Sequence, residues 1–367
     1  MKHLELHILQ SVPVTCLNRD DLGSPKTAFF GGTQRARVSS QSWKRAIREY
    51  AHEICPYFEG KRSRLIIEPL REAFIKLGNT EQISLKWAKE VAGSLASLDS
   101  ENENKVKTIF FTSNAEIEHL ALEYDKISKE KGDIPDDDKK YKEKTKRRTK
   151  DAAKNIDATI YKDAADISMF GRMVASDHSL TIEGAAMFNH PISTHKVDNE
   201  LDFFAAVDDW QKQEDSGAGM TGTLEFNSSV YYRFSALNLD MLKDKKHLEC
   251  MTVEERKQVV SAFIQATLEA VPGMTQSNSG RKNSMNGYTR PSYVLGIVRG
   301  KGHPIQFINA FEEPVWSGNG IMKASIEKLK KEEESQKKIW KLQELGRSEI
   351  PEKDIDTFIK EMVKHVD

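Results

Sequence analysis

The chain has 367 residues, 41.7 kDa and 38% hydrophobic content, enough for an ordinary core spread over about two domains. Lys and Arg number 55 against 56 Asp and Glu, so the net charge is −1 and any electrostatic partner must be sought in local clusters. No apolar run of about 18 residues spans a bilayer, the start MKHLELHILQ has no signal core, and the scattered Cys16, Cys55 and Cys250 argue against a disulfide framework or a zinc site; a cytoplasmic protein without metal or cofactor is expected.

Leu4, Leu6 and Ile8 alternate with Glu5 and His7, which predicts a strand over residues 2–12 with one face on a core. The turn-rich NRDDLGSPKTAFFGG follows. Ser39 or Ser40 then opens a helix with Trp43, Ala46, Ile47, Tyr50, Ala51 and Ile54 at helical spacing. Residues 56–166 are mostly helical in pattern, broken near Gly78, Ser100 and Gly132, and DIPDDDKKYKEKTKRRTK reads as a mobile charged connector within this insertion. Alternation over Thr223–Val230 predicts a strand, and Thr252 with Glu255 forms a capping box for a helix that ends at Pro272 and Gly273. SYVLGIV and PIQFINAF read as two further strands around the turn RGKGHP. The tail from Ile321, with 11 basic and 11 acidic residues, reads as two surface helices broken at Pro351. This order fits an α+β protein with a ferredoxin-like core and insertions.

Charge is concentrated in two places. Residues 31–48 contain Arg35, Arg37, Lys44, Arg45 and Arg48 with no acidic residue, a local charge of +5. Glycines at 31 and 32, free N–H groups expected at the helix start near Ser39 and Ser40, and this cation density suit a phosphate backbone; the alternative is a solvated basic helix face. Residues 139–150 hold eight basic residues against Glu143, a net +7, which fits a solvated segment or one that tracks a phosphate backbone without reading bases. Candidates for catalysis are few. Asp20 and Asp21 have the chemistry to bind Mg²⁺ but more commonly cap a turn, and the spacing of His190, His195 and Asp198 demands neither a metal site nor an acid/base set.

NRDDLGSPKTAFFGGTQRARVSSQSWKRAIR, MFGRMVASD, EGAAMFNHPISTHKVDNELDFFAAVDDW and GTLEFNSSVYYRFSALNLD, in this order, resemble the CasC family, the crRNA-binding backbone subunit of the type I-E CRISPR Cascade complex. The resemblance implies an RRM-like (ferredoxin-like) palm, a helical fingers insertion and a β-hairpin thumb. Palm would occupy 1–55, 166–189 and 231–320, fingers 56–165 and thumb 190–230, with 321–367 a charged helical tail. It implies a non-catalytic subunit whose copies line up along one crRNA spacer, kink it at regular intervals and support pairing with the target strand of double-stranded DNA. Implied partners are further copies, CasA, CasB, CasD and CasE, and a nuclease-helicase recruited to the assembled complex. Carried over by motif, Arg19, Lys26, Ser39, Ser40, Gln41, Lys44, Arg45 and Arg48 would hold crRNA phosphates together with Arg35 and Arg37 of the basic patch. Met173 would support the displaced nucleotide, and Phe203, Phe204 and Met220 would form the thumb wedge, unless one of the two phenylalanines is core. Lys139, Lys140, Lys142, Lys144, Lys146, Arg147 and Arg148 would contact target DNA, on charge and position alone. The rival readings are a guide-dependent metal ribonuclease using Asp20 or Asp21 and a general single-strand binder.

Overall fold

The computed structural model describes every residue except 133, 136–138, 155–161, 175–177, 207–219, 274–285, 317 and 319. The chain divides into two compact units: Met1–Ala51, Met187–Leu237 and Ser261–His365 form the first, and His52–Ala186, Asn238–Val260 and Val366–Asp367 the second. In chain order the elements are β1 (His3–Thr15), β2 (Thr27–Phe30), β3 (Thr33–Ala36), α1 (Ser40–Ile54), β4 (Lys61–Ser63), α2 (Ile67–Lys76), α3 (Glu81–Ala96), β5 (Phe110–Thr112), α4 (Asn114–Lys131), α5 (Tyr141–Lys154), α6 (Ala165–Phe170), β6 (Ala186–Phe188), β7 (Ile192–Ser193), β8 (Glu200–Ala206), β9 (Met220–Asn238), α7 (Val253–Glu269), β10 (Tyr293–Arg299), α8 (Ile321–Trp340), β11 (Gly346–Ile350) and α9 (Ile355–Val363). The fold is α+β, as the order of sequence patterns predicts.

The first unit is built on a sheet of order β11-β10-β1-β9-β6, with β7 and β8 also paired to β9. β10 runs antiparallel to both β1 and β11. The alternation in β1 is as expected, but every residue from His3 to Gln10 is buried, so both faces of the strand are covered. Leu9, Tyr293, Leu295 and Ile297 pack on one side against Phe307, Phe311, Val315 and Leu329, the last of these from α8. Within this layer Glu5 accepts hydrogen bonds from Arg299 Nε at 3.0 Å and from the Ile305 N–H at 2.9 Å. Burial alone would raise the Glu5 carboxyl, but the hydrogen bond to His3, the His7 ring 3.6 Å away and the Arg299 charge outweigh it and hold the group well below the usual carboxylate range.

Two expectations for this unit are corrected. PIQFINAF is not a strand: the chain turns through a short 3-10 segment at Ile308–Phe311. Side chains satisfy its backbone, with the Phe307 N–H donating to Tyr232 Oη at 2.9 Å and the Ile305 N–H to Glu5, so no ladder is needed. The tail is not only helical either, since β11 lies between its two helices and forms the sheet edge. Phe358 and Met362 of α9 close on β10 at Gly296, where a Cβ would sit 2.6 Å from Phe358 Cζ and 2.8 Å from Met362 Sδ. The tail's charges hid the few apolar positions that make it part of the core.

The second unit has a helical core centred on Phe74, Trp87 and Tyr124, whose rings meet edge to face at 5.6–6.1 Å. Thr80 and Ser113 cap α3 and α4 by accepting from the N–H groups of Ile83 and Glu116. The predicted capping box of α7 is present: the Thr252 N–H donates to Glu255 Oε2 at 2.8 Å, and the Glu255 N–H to Thr252 Oγ1 at 3.2 Å. Most of the supposed mobile connector, by contrast, is the helix α5, with Thr145, Arg148, Thr149 and Ala152 facing inward. An inward face made of threonines and an arginine carries no hydrophobic period, and the pattern therefore does not register it.

Candidate nucleic-acid interface

The stretch from Asn18 to Arg48 folds into a loop, a hairpin and the start of α1, all in the first unit. Asn18 ties the loop together: its Oδ1 accepts from the Ser39 N–H at 3.0 Å and its carbonyl from the Lys26 N–H at 3.0 Å. Asp20 Oδ1 accepts from the N–H groups of Leu22 and Ser24, both at 2.9 Å, the turn-capping use of an aspartate. Arg19 donates to the Gly23 carbonyl and, at 3.3 Å, to the Glu225 carbonyl, and sits 5.6 Å from the Phe226 ring. The β2–β3 turn uses Gly31 and Gly32 at φ +57° and +73°. A Cβ at Gly31 would lie 1.6 Å from the Glu312 carbonyl oxygen, so only glycine fits this approach.

At the start of α1, Ser39 Oγ accepts from the Ser42 N–H at 3.3 Å, and the Ser40 N–H donates to His190 Nδ1 at 2.9 Å. The helix start therefore does not offer the fully free N–H groups expected of it. Burial first, then the charges of Arg37, Lys44 and Lys26, push the His190 imidazole below its ordinary pKa and favour its neutral form. Arg37 Nε also donates to the Thr27 carbonyl at 3.3 Å, and Lys44 Nζ lies 5.3 Å from the Phe188 ring centre. Gln41 is exposed on the first turn.

The five charges of the basic segment are not equivalent. Arg35 is fully buried, donating to the carbonyls of Ser193, Phe311 and Glu312 at 3.0, 2.9 and 3.1 Å. Its guanidinium locks the hairpin to the body of the unit and is committed to carbonyls, which corrects its expected place among the phosphate contacts. Arg45 is exposed but pairs with Glu49 at 2.8 Å, so the segment is compensated one residue beyond its expected boundary. Arg48 is half-buried.

Farther along, β8 and β9 form a hairpin in which Phe203 opposes Thr223, Phe204 opposes Gly222 and Ala206 opposes Met220. Strand alternation puts Phe204, Met220 and Leu224 on one face and Leu201 and Phe203 on the other. Phe204 lies over Gly222, where a Cβ would meet its ring at 2.5 Å, while Phe203 is 69% exposed. Neither phenylalanine belongs to the core, and the apolar residues of the hairpin project from both faces.

In the second unit, Met173 is 84% exposed. Its neighbour Arg172 is clamped by paired backbone hydrogen bonds with Ile182, both 2.8 Å, and by an ion pair with Glu116 at 2.6 Å, so the methionine is held out on a fixed base. On α5, Lys142, Lys144, Lys146 and Arg147 are exposed, as are Lys139 and Lys140 just before it. Arg148 is not: it is buried, donates to Ser128 Oγ at 3.0 Å and to the Gly132 carbonyl at 2.8 Å, and lies 5.8 Å from the Tyr124 ring. It belongs to the packing of the helices, which corrects its expected place among the DNA contacts.

The remaining sequence candidates have local roles. His195 Nδ1 lies 2.7 Å from the Lys196 carbonyl, its Nε2 accepts from the Val230 N–H at 3.2 Å, and Asp198 pairs with Lys196 at 3.2 Å. No group of three or more His, Cys, Asp or Glu side chains with metal-binding geometry occurs among the described residues. His190 is a site residue to which sequence reasoning assigned no role, because its partner Ser40 lies 150 positions away.

The fold is that of protein chains from CRISPR surveillance complexes. One such chain, from a "CRISPR RNA-guided surveillance complex, pre-nicking", is 27% identical with a TM-score of 0.76, each chain covered over 100% of its length. A second, from a "CRISPR RNA-guided surveillance complex", is 23% identical with a TM-score of 0.66 over 99% of each chain, a likeness of fold. The chain belongs to the CT1975-like protein family, whose profile matches residues 4–364, and the CasC resemblance stands with this assignment. A comparison with curated proteins finds no match.

Proposed function

We propose that this protein is the crRNA-binding backbone subunit of a type I-E Cascade complex, with an RRM-like palm. Several copies line the guide spacer, kink it at regular intervals and hold it for pairing with the target DNA strand, and the chain carries no catalytic centre of its own. The observation that carries the reading is that the charges of Lys26, Arg37 and Lys44 act on His190, the ring that braces the start of α1, in a chain that shares 27% identity over its whole length with a surveillance-complex chain. Three cations from three segments suit a phosphodiester. The exposed hairpin supplies an apolar element of the kind that separates bases, and the lysines of α5 supply charge for target DNA. The commitment of Asp20 to two backbone N–H groups favours this reading over a metal ribonuclease.

The test is to co-express the protein with a type I-E crRNA and its sister subunits, purify the assembly and sequence the RNA that accompanies it. One defined guide is expected. Heterogeneous RNA would indicate a general single-strand binder, and Mg²⁺-dependent cuts abolished by Asp21→Ala would indicate a nuclease.

A further inference from the structure

A small void lies inside the first unit, where α1 and α7 meet β1 and β9. It leaves about 10 Å³ for the centre of a water-sized guest, room for one small particle. Four of the side chains lining it carry a buried polar atom without a hydrogen-bond partner: Trp43 Nε1, Asn189 Nδ2, Ser235 Oγ and Thr267 Oγ1. The indole N–H can only donate. So can the Asn189 amide nitrogen, whose orientation is fixed because Asn189 Oδ1 accepts the Phe234 N–H at 2.9 Å. The two hydroxyls add one proton each, and buried donors left unmatched are costly. Beside them is a cation without a counter-ion. Arg233 is 3% exposed, donates to Gln10 Oε1 and the Thr267 carbonyl, and lies 3.6 Å from the centre of the Trp43 ring. Burial pushes its pKa down to about 9, and no neighbouring carboxylate acts to restore it. A water has lone pairs for two of the four donors and leaves the guanidinium charge unanswered, whereas a monatomic anion accepts from all four and offsets that charge.

We propose that this void is a chloride site, the ion held by Trp43, Asn189, Ser235 and Thr267 beside the Arg233 guanidinium. The site does not depend on the RNA-binding reading above. Its four ligands come from α1, the segment after β6, β9 and α7, so the ion ties these elements together from within. Anything that binds the folded chain and not the unfolded one adds to stability in proportion to the logarithm of its concentration, and chloride should do so here.

Crystals of the full chain grown in sodium bromide test the site directly, because bromide replaces chloride and scatters anomalously. An anomalous peak in the void is expected; a void that is empty, or holds density without anomalous signal, overturns the proposal. In solution, the melting temperature should rise by about 2 °C for each tenfold increase in sodium chloride above half-saturation, beyond any change in sodium gluconate of the same ionic strength. Ser235→Ala with Thr267→Val removes two donors at nearly constant volume and should raise the chloride concentration needed for that gain by about tenfold or more, since hydrogen bonds to a charged acceptor are the strong ones. Equal melting of the wild-type protein in chloride and gluconate overturns the proposal, and so does a double variant with the wild-type chloride dependence. Should the double variant fail to fold, the bromide experiment on the wild-type protein decides.

Discussion

Replacing Lys26, Arg37 and Lys44 together with alanine removes the three cations whose charges act on His190 while leaving Arg35 to hold the hairpin. Each phosphate contact to a single strand contributes about 0.7 to the slope of log affinity against log salt, so three contacts are worth about 2. Between about 50 and 200 mM salt, a fourfold change, the triple variant should lose roughly 18-fold less affinity than the wild type does. Fluorescence anisotropy with a labelled guide RNA across that range reads the slope directly. Arg45→Ala is the internal comparison: its charge is already matched by Glu49, so it should change the slope by less than any one of the three. A triple variant with the wild-type slope would show that these cations do not meet phosphate, and the interface would have to be sought elsewhere.

Arg35→Ala should act on stability and not on the salt slope, since three buried carbonyls lose their donor at a cost of roughly 3 kcal/mol or more, readable by denaturant titration. Arg148→Ala should likewise lower stability by about 2 kcal/mol, whereas Lys146→Ala should leave melting unchanged and weaken DNA binding by the assembled complex; equal melting in the two variants would remove the distinction drawn on α5. Phe204→Ala with Met220→Ala should spare guide affinity and erase periodic reactivity of the bound guide, because the apolar face they share is lost while the phosphate contacts remain. Acid should destabilise the fold in two stages that a melting series resolves. His7 is buried and depressed by that burial below about 6.5, so stability begins to fall as pH drops through the unfolded value. Glu5 is held below the usual carboxylate range, and its contribution, full above about 4.5, is lost on further acidification; Glu5→Gln should remove the second stage.

Local chemistry made much of the fold readable. The alternation of β1, the Ser39 and Thr252 helix starts and the alternation leading into β9 are short-range signals, and each marks the element found there. Long-range consequences were not readable. That the face of β1 bearing His3, Glu5 and His7 is buried depends on α8, more than 300 residues later, and on the Phe307–Phe311 turn, whose backbone is satisfied by Glu5 and Tyr232. β11 was hidden because an edge strand paired on one side needs few apolar residues, and GRSEI supplies charged ones. The site shows the same division. The density of cations in residues 31–48 is visible in the sequence, but their fates are not: Arg35 and Arg37 are two positions apart, one locked on carbonyls inside the unit and the other half-buried against the Thr27 carbonyl. Lys146 and Arg148 repeat this contrast on α5.

The central claim is that copies of this chain hold one guide at regular intervals, and chemical probing of the RNA in the purified assembly tests it most directly. The account predicts reactive nucleotides evenly spaced along the spacer, one for each kink, with the pattern lost when Phe204 and Met220 are both alanine. Uniform protection or uniform reactivity along a bound guide would contradict it, because a subunit that merely coats the backbone has no use for the apolar hairpin.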